Sequence, residues 1–83
     1  MLKEAAVITR MKNAGKGVRG FREESLKPGT PLQDESVTGM DSMARVEYVV
    51  ALEEEFKVTI SDVDFDGMKT FKEVIDYLRR KGK

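Results

Sequence analysis

From residue 40 to residue 66 the chain contains neither glycine nor proline. Both residue types break regular structure, so this interval is the longest in which helix can run uninterrupted. Gly39 breaks what precedes it. Asp41 and Ser42 are both preferred helix N-caps, because their side-chain oxygens accept bonds from free first-turn amides. Ala44, Arg45, Glu47, Ala51, Leu52 and the glutamates at 53–55 favour helix and outweigh the valines. The pattern predicts a helix over about 42–56. At about 100° per residue, Tyr48, Val49, Leu52 and Phe56 share one arc, a natural core face. Ser42 falls on another side, among Met43, Val46, Val50 and Glu53, with Glu47 and Glu54 flanking. An exposed face that mixes apolar residues with carboxylates suits contact with a partner better than mere solvation.

The absent residue types exclude several function classes. Without histidine, a Ser-His or Cys-His nucleophile pair is impossible, and so are the usual zinc sites. Ser42 has no base of its own, so any chemistry at it must come from another protein. The expectation is a chain that is not an enzyme and has no metal site. Cysteine is also absent, which fits a reducing cytoplasm. At 83 residues the chain suits one small domain with a thin core. The formal net charge is zero but unevenly spread. Residues 1–27 hold seven Lys or Arg against three Glu, and the remainder eight against twelve acidic residues. The basic part has one aromatic, Phe21, and so no stacking platform; no nucleic-acid partner is expected. No apolar run is long enough to span a bilayer, and Lys3, Glu4, Thr9, Arg10 and Lys12 interrupt any signal core. A cytoplasmic monomer is expected.

Along the rest of the chain, a first helix is predicted over about 2–14, with Leu2, Ala5, Ala6, Ile8 and Met11 near helical spacing and Val7 blurring the stripe. Gly15 and Gly17 would end it in a left-handed cap. A long loop follows over 15–40, with a helical turn allowed within 21–26. Pro28, Gly29 and Pro31 must be loop. After Phe56, residues 57–60 read as an extended connector with Val58 and Ile60 inward. Ser61 or Asp62 caps a short helix over about 62–66 carrying Val63 and Phe65, which Gly67 ends. Thr70 caps a last helix over about 70–81, with Phe71, Val74, Ile75 and Leu78 as its apolar stripe. Arg79, Arg80 and Lys81 suit its negative end. The expected fold is all-α: a small four-helix bundle with a long loop between its first two helices.

Asp41-Ser42-Met43, then Val46-Glu47, then residues 51–56 resemble the acyl carrier protein family. Its signature is Asp-Ser-Leu at the start of the second helix, with an acidic Glu-Glu-Phe-like helix end. The resemblance runs without a gap to the C-terminus, through Ile60-Ser61-Asp62 and residues 69–78. It implies that Ser42, between Asp41 and Met43, carries a covalent 4′-phosphopantetheine arm whose thiol holds acyl groups as thioesters. The implied partners are a phosphopantetheinyl transferase and the acyl-transferring and chain-elongating enzymes of fatty-acid, polyketide or related lipid synthesis. Met43, Val46, Glu47, Val50, Glu53 and Glu54 would form the face that meets them. Leu32 corresponds to the apolar residue that anchors the family's long loop. Bound cargo would retreat near Val46, Val49, Leu52, Ile60, Met68 and Phe71. The chain departs from the family around 35–38, which holds about two extra residues, and in its glycine-rich stretch at 15–20, as a specialised carrier would. Met43 also occurs in aminoacyl carriers of D-alanyl type, an alternative cargo class.

Two features compete with this reading or complicate it. Asp62, Asp64, Asp66, Gly67 and Glu73 match the calcium-loop pattern D-x-D-x-D-G-x5-E. Against a true calcium loop, Lys69 occupies a normally apolar position, the motif is unpaired, and residues 57–60 make a poor entering helix. Arg45 lies between Ser42 and the core arc, where a buried cation is costly. Its stem can lie on apolar surface with the guanidinium in water. Alternatively, the guanidinium stands at the mouth of a gap between helices and bonds the arm's phosphate or an acidic group on the cargo, held by Asp62 or Asp64 in the unloaded chain.

Overall fold

A computed structural model describes all residues, 1–83. The order is α1 (Glu4–Gly15), a 3-10 turn (Glu23–Ser25), α2 (Glu35–Thr38), α3 (Ser42–Phe56), α4 (Asp62–Asp66) and α5 (Phe71–Lys81), with no strand. The architecture is the expected small all-α bundle. Helices α1, α3, α4 and α5 supply the core, and the long connection adds a single helical turn, α2. That turn exists because Asp34 accepts the Ser36 N–H and Gly39 ends it in a left-handed conformation, donating to the Glu35 carbonyl at 2.8 Å.

The core forms where α1 meets α3 and α5. Tyr48, Leu52 and Phe56 of α3, Phe71, Ile75 and Leu78 of α5, and Met11 of α1 have no solvent exposure. The apolar stripes expected for α3 and α5 are the buried ones. That of α1 is so in part: Met11 is buried and Leu2 and Ile8 pack half-buried against the core, but Ala5 and Ala6 are exposed and Val7 faces inward in their place. Four-residue spacing from Val7 through Met11 reaches Gly15, which the Phe21 ring covers so closely that a side chain there would collide with it. Lys16, in ordinary helical conformation, follows, so Gly15 and Gly17 supply no left-handed cap. Phe21 stacks on Tyr48 at 5.1 Å between centroids, and the Tyr48 hydroxyl donates to the Met11 carbonyl at 3.1 Å. Burial pushes the Tyr48 hydroxyl pKa well above its ordinary value of 10.0.

The proline-rich loop lies across the start of α5. The Phe71 and Lys72 amides, which a helix start leaves unpaired, donate to the Thr30 and Pro28 carbonyls at 3.1 and 2.9 Å. The Leu32 amide donates to the Lys69 carbonyl at 2.8 Å, and its side chain is fully buried. Leu32 is therefore the loop's anchor. In the connector after α3, Ile60 is buried and Val58 half-buried. Ser61 caps α4, accepting the Asp64 amide at 3.1 Å. Phe65 faces inward, but Val63, expected beside it, is 81% exposed, because a five-residue helix turns only one such position to the core.

Candidate functional site

Asp41 alone caps α3: its Oδ1 accepts the Ala44 amide at 2.8 Å and its carbonyl accepts the Arg45 amide at 3.0 Å. Ser42 is consequently the first helical residue and not the cap. Its hydroxyl is exposed and released from capping, and the first-turn amides of Ser42 and Met43 have no acceptor within the chain. The other three serines are engaged. Ser25 donates to the Arg22 carbonyl, Ser36 donates to Asp34, and Ser61 accepts the Asp64 amide.

Beside Ser42 runs a groove of about 580 Å³ between α3 and α4. Ser42, Arg45, Val46 and Val49 form one wall, and Asp62, Phe65 and Asp66 form the other. Gln33 closes one end, its side-chain amide donating to the Asp66 carbonyl at 3.0 Å. The family resemblance places cargo near Leu52, Ile60, Met68 and Phe71 as well. Those four side chains are packed into the core, and only Val46 and Val49 of that set line the groove. Asp62 lines the gap as the sequence suggests, and Phe65, Asp66 and Gln33 join it without having been expected there. The four-residue spacing of Asp62 and Asp66 puts both on one side of α4, a signal that could have been used.

The exposed face of α3 carries Met43, Val46 and Val50, at 65%, 61% and 48% exposure, with Glu47 and Glu54 exposed beside them. Glu53 differs from its neighbours. It is half-buried and its Oε2 accepts the Ile60 amide at 2.8 Å, so its charge is spent on holding the connector to α3. Arg45 is half-buried, with Nη1 donating to the Met40 carbonyl at 3.4 Å. Neither Asp62 nor Asp64 holds it. The chain's two ion pairs lie elsewhere, Arg10–Glu55 at 3.0 Å and Lys72–Asp76 at 2.8 Å.

The calcium-loop reading does not survive the geometry. Asp62, Asp64 and Asp66 lie within a helix, where successive odd positions diverge around the axis instead of converging on one ion. Glu73 turns back on its own helix, its carboxylate accepting the Lys69 and Thr70 amides in a capping box with Thr70.

The fit of a phosphodiester to Ser42 can be tested on the residues themselves. Such a group carries one negative charge and two acceptor oxygens. It would meet two unpaired amides at the positive end of a four-turn helix, with room alongside for an attached chain. The residues fit.

A family model described as "Phosphopantetheine attachment site" matches residues 17–78, a span that begins after α1 and includes Ser42. The chain is 36% identical over 62 residues to an acyl carrier protein of Chlorobium phaeobacteroides, covering 75% of this chain and 77% of that one. It is 39% identical over 61 residues to an acyl carrier protein of Syntrophobacter fumaroxidans, covering 74% and 73%. With an acyl carrier protein of Bdellovibrio bacteriovorus it shares 49% identity over 45 residues, 54% of this chain and 58% of that protein.

Proposed function

Because this chain belongs to the acyl carrier protein family and carries acyl groups on 4′-phosphopantetheine, we propose that Ser42 is the point at which the arm is attached. Bound there, the arm supplies a terminal thiol that holds the acyl group as a thioester. The observation that carries the assignment is the state of the four serines: only Ser42 has a hydroxyl free of hydrogen bonds within the chain. Asp41 keeps it so by capping the helix itself. The Ser42 and Met43 amides would donate to the phosphodiester oxygens, and hydrogen bonds to a charged acceptor contribute roughly 1.5–3 kcal/mol each. When the Oγ–P bond forms, the phosphoanhydride bond of coenzyme A breaks and adenosine 3′,5′-bisphosphate leaves, while the hydroxyl proton passes to a base on the transferase.

Carriage is the role of this family, and the chemistry on the cargo falls to the enzymes the carrier visits. These are a phosphopantetheinyl transferase and acyl-transferring and chain-elongating enzymes. Met43, Val46 and Val50 offer them a small apolar stripe, and Glu47 and Glu54 offer charge at its edge. Exposed charge of this kind raises encounter rates with basic surfaces more than it tightens binding, which suits a carrier that must also leave. Glu53 contributes little to this face, because its carboxylate is already bonded to the Ile60 amide.

The test is intact mass after incubation with coenzyme A and a broad-specificity phosphopantetheinyl transferase, followed by peptide mapping. One addition, on Ser42, is expected. Addition on Ser25, Ser36 or Ser61, or none, overturns the assignment.

A further inference from the structure

Arg45 does not use its charge within the chain. The residue is half-buried, and its guanidinium has no carboxylate within 4.0 Å and makes one bond of 3.4 Å to a neutral carbonyl. That length is beyond the usual range, and a guanidinium has five donors. A guanidinium with most of its donors unused and no paired carboxylate is available to an anion beside it. Arg45 stands three residues after Ser42 on the same wall of the groove, and such positions have Cβ atoms roughly 5–6 Å apart. The Met40 carbonyl lies before the helix begins. The bond to it turns the guanidinium back toward the Ser42 end of the groove.

Taking Ser42 as the attachment point, we infer that Arg45 is a positioning residue that clamps the phosphodiester at the root of the arm. The anion to be held could also be a carboxylate on the cargo, and two observations favour the phosphodiester. It is bonded directly to Ser42, at the end of the groove to which Arg45 turns, whereas cargo sits at the arm's far end. The facing wall carries Asp62 and Asp66, which repel a carboxylate entering the groove and press an anion at its mouth toward Arg45. A forked guanidinium suits two phosphate oxygens, and the pairing would complement the amides of Ser42 and Met43. Held there, the root of the arm would stand at the groove that Val46, Val49 and Phe65 line.

The experiment uses the full chain labelled with 15N-arginine, with mass first establishing complete loading at Ser42. The Arg45 Nε–H resonance is compared before and after loading with the unacylated arm. The phosphodiester 31P resonance is compared among the parent chain, Arg45→Gln and Arg45→Lys. Expected are a shift of the Arg45 resonance on loading, a narrower and displaced 31P line in Arg45→Gln, and partial recovery in Arg45→Lys, which keeps charge without the fork. Unchanged far-UV dichroism in both variants keeps the comparison free of misfolding. A fully loaded chain with the same 31P line in all three forms overturns the clamp while leaving the attachment site intact. An Arg45 resonance that moves only when the arm bears a dicarboxylic half-thioester also overturns it, and gives the guanidinium to the cargo. Failure to load at Ser42 overturns the attachment reading itself.

Discussion

Gly20 and Gly39 meet backbone to backbone, each occupying the left-handed region (φ +83° and +79°), and each carbonyl oxygen lies where a side chain on the other would begin. The contact is reinforced by the Arg22 amide, which donates to the Thr38 carbonyl at 2.9 Å. It fixes the glycine-rich stretch after α1 against the turn that leads into Asp41 and Ser42. The stretches 15–20 and 35–38 thus meet at their C-terminal ends, through Gly20 against Gly39 and Arg22 bonded to Thr38.

Gly39→Ala is expected to be strongly destabilising. The left-handed conformation costs an alanine about 1–2 kcal/mol before the collision with Gly20 is counted. For a domain of this size that lowers Tm by at least about 4–8 °C per kcal/mol lost. Gly17 has open space around it and ordinary φ, so Gly17→Ala should be neutral or slightly stabilising. Thermal melts of the two variants check the contrast, and equal effects would remove the contact's importance.

Ser42→Ala should abolish the mass gain and leave the far-UV helical signal unchanged, because Asp41 rather than Ser42 caps α3. Asp41→Ala should do something different: it removes the cap, at a cost of about 0.5–2 kcal/mol. Urea midpoints of the two variants separate the roles. A large stability loss in Ser42→Ala would show that the hydroxyl has a structural job.

Tyr48 makes the chain sensitive to alkali. Its folded pKa is raised above the unfolded value of 10.0, so the stabilisation is fully present below pH 10 and is lost as pH rises beyond it, because only the unfolded phenol ionises. Each pH unit above that point removes about 1.4 kcal/mol. Tyr48→Phe should lose about 1 kcal/mol at pH 8 with the bond to Met11, yet decline less steeply between pH 10 and 11. Parallel stability curves for the two proteins would contradict the assignment.

Glu73→Ala should cost about 0.5–2 kcal/mol by opening the capping box of α5, with or without calcium. A sensor-type calcium loop with a dissociation constant of about 1 μM would stabilise the parent by about 4 kcal/mol in 1 mM calcium. No such rise is expected. Denaturant midpoints measured with calcium and with a chelator decide the matter.

Charge reversal at Glu47 and Glu54 should slow acyl transfer by partner enzymes, and added salt should slow the parent toward the same rate. Exposed charges are screened beyond about 8 Å at physiological ionic strength. Equal transfer rates for parent and variant at low salt would reduce these carboxylates to a solvated face.

Much of this chain is local physics and was legible as such. The interval free of glycine and proline, the capping oxygens of Asp41 and Ser61, and the four-residue stripe of α5 determine helices through contacts a few residues apart. The motif around Ser42 could be read for the same reason, since a cap, a serine and an acidic-apolar face all lie on one helix. Other features depend on which distant groups come together. Val7 rather than Ala5 faces the core because α1 rotates to meet both α3 and α5. Glu53 looked like its exposed neighbours until the connector brought the Ile60 amide to it. The aspartates of the calcium motif were spaced correctly along the chain, but a helix cap at Ser61 set them diverging. The groove exists only because the fold sets α4 across from α3, with Asp62 and Asp66 on the wall facing Arg45. Sequence alone determined the helices and the serine at the head of α3, because backbone hydrogen bonding and capping act over one or two turns. Only the tertiary structure decided what surrounds that serine, because the walls and charges of the groove come from separate segments, α3, α4 and Gln33, whose relative placement no contact within one or two turns sets.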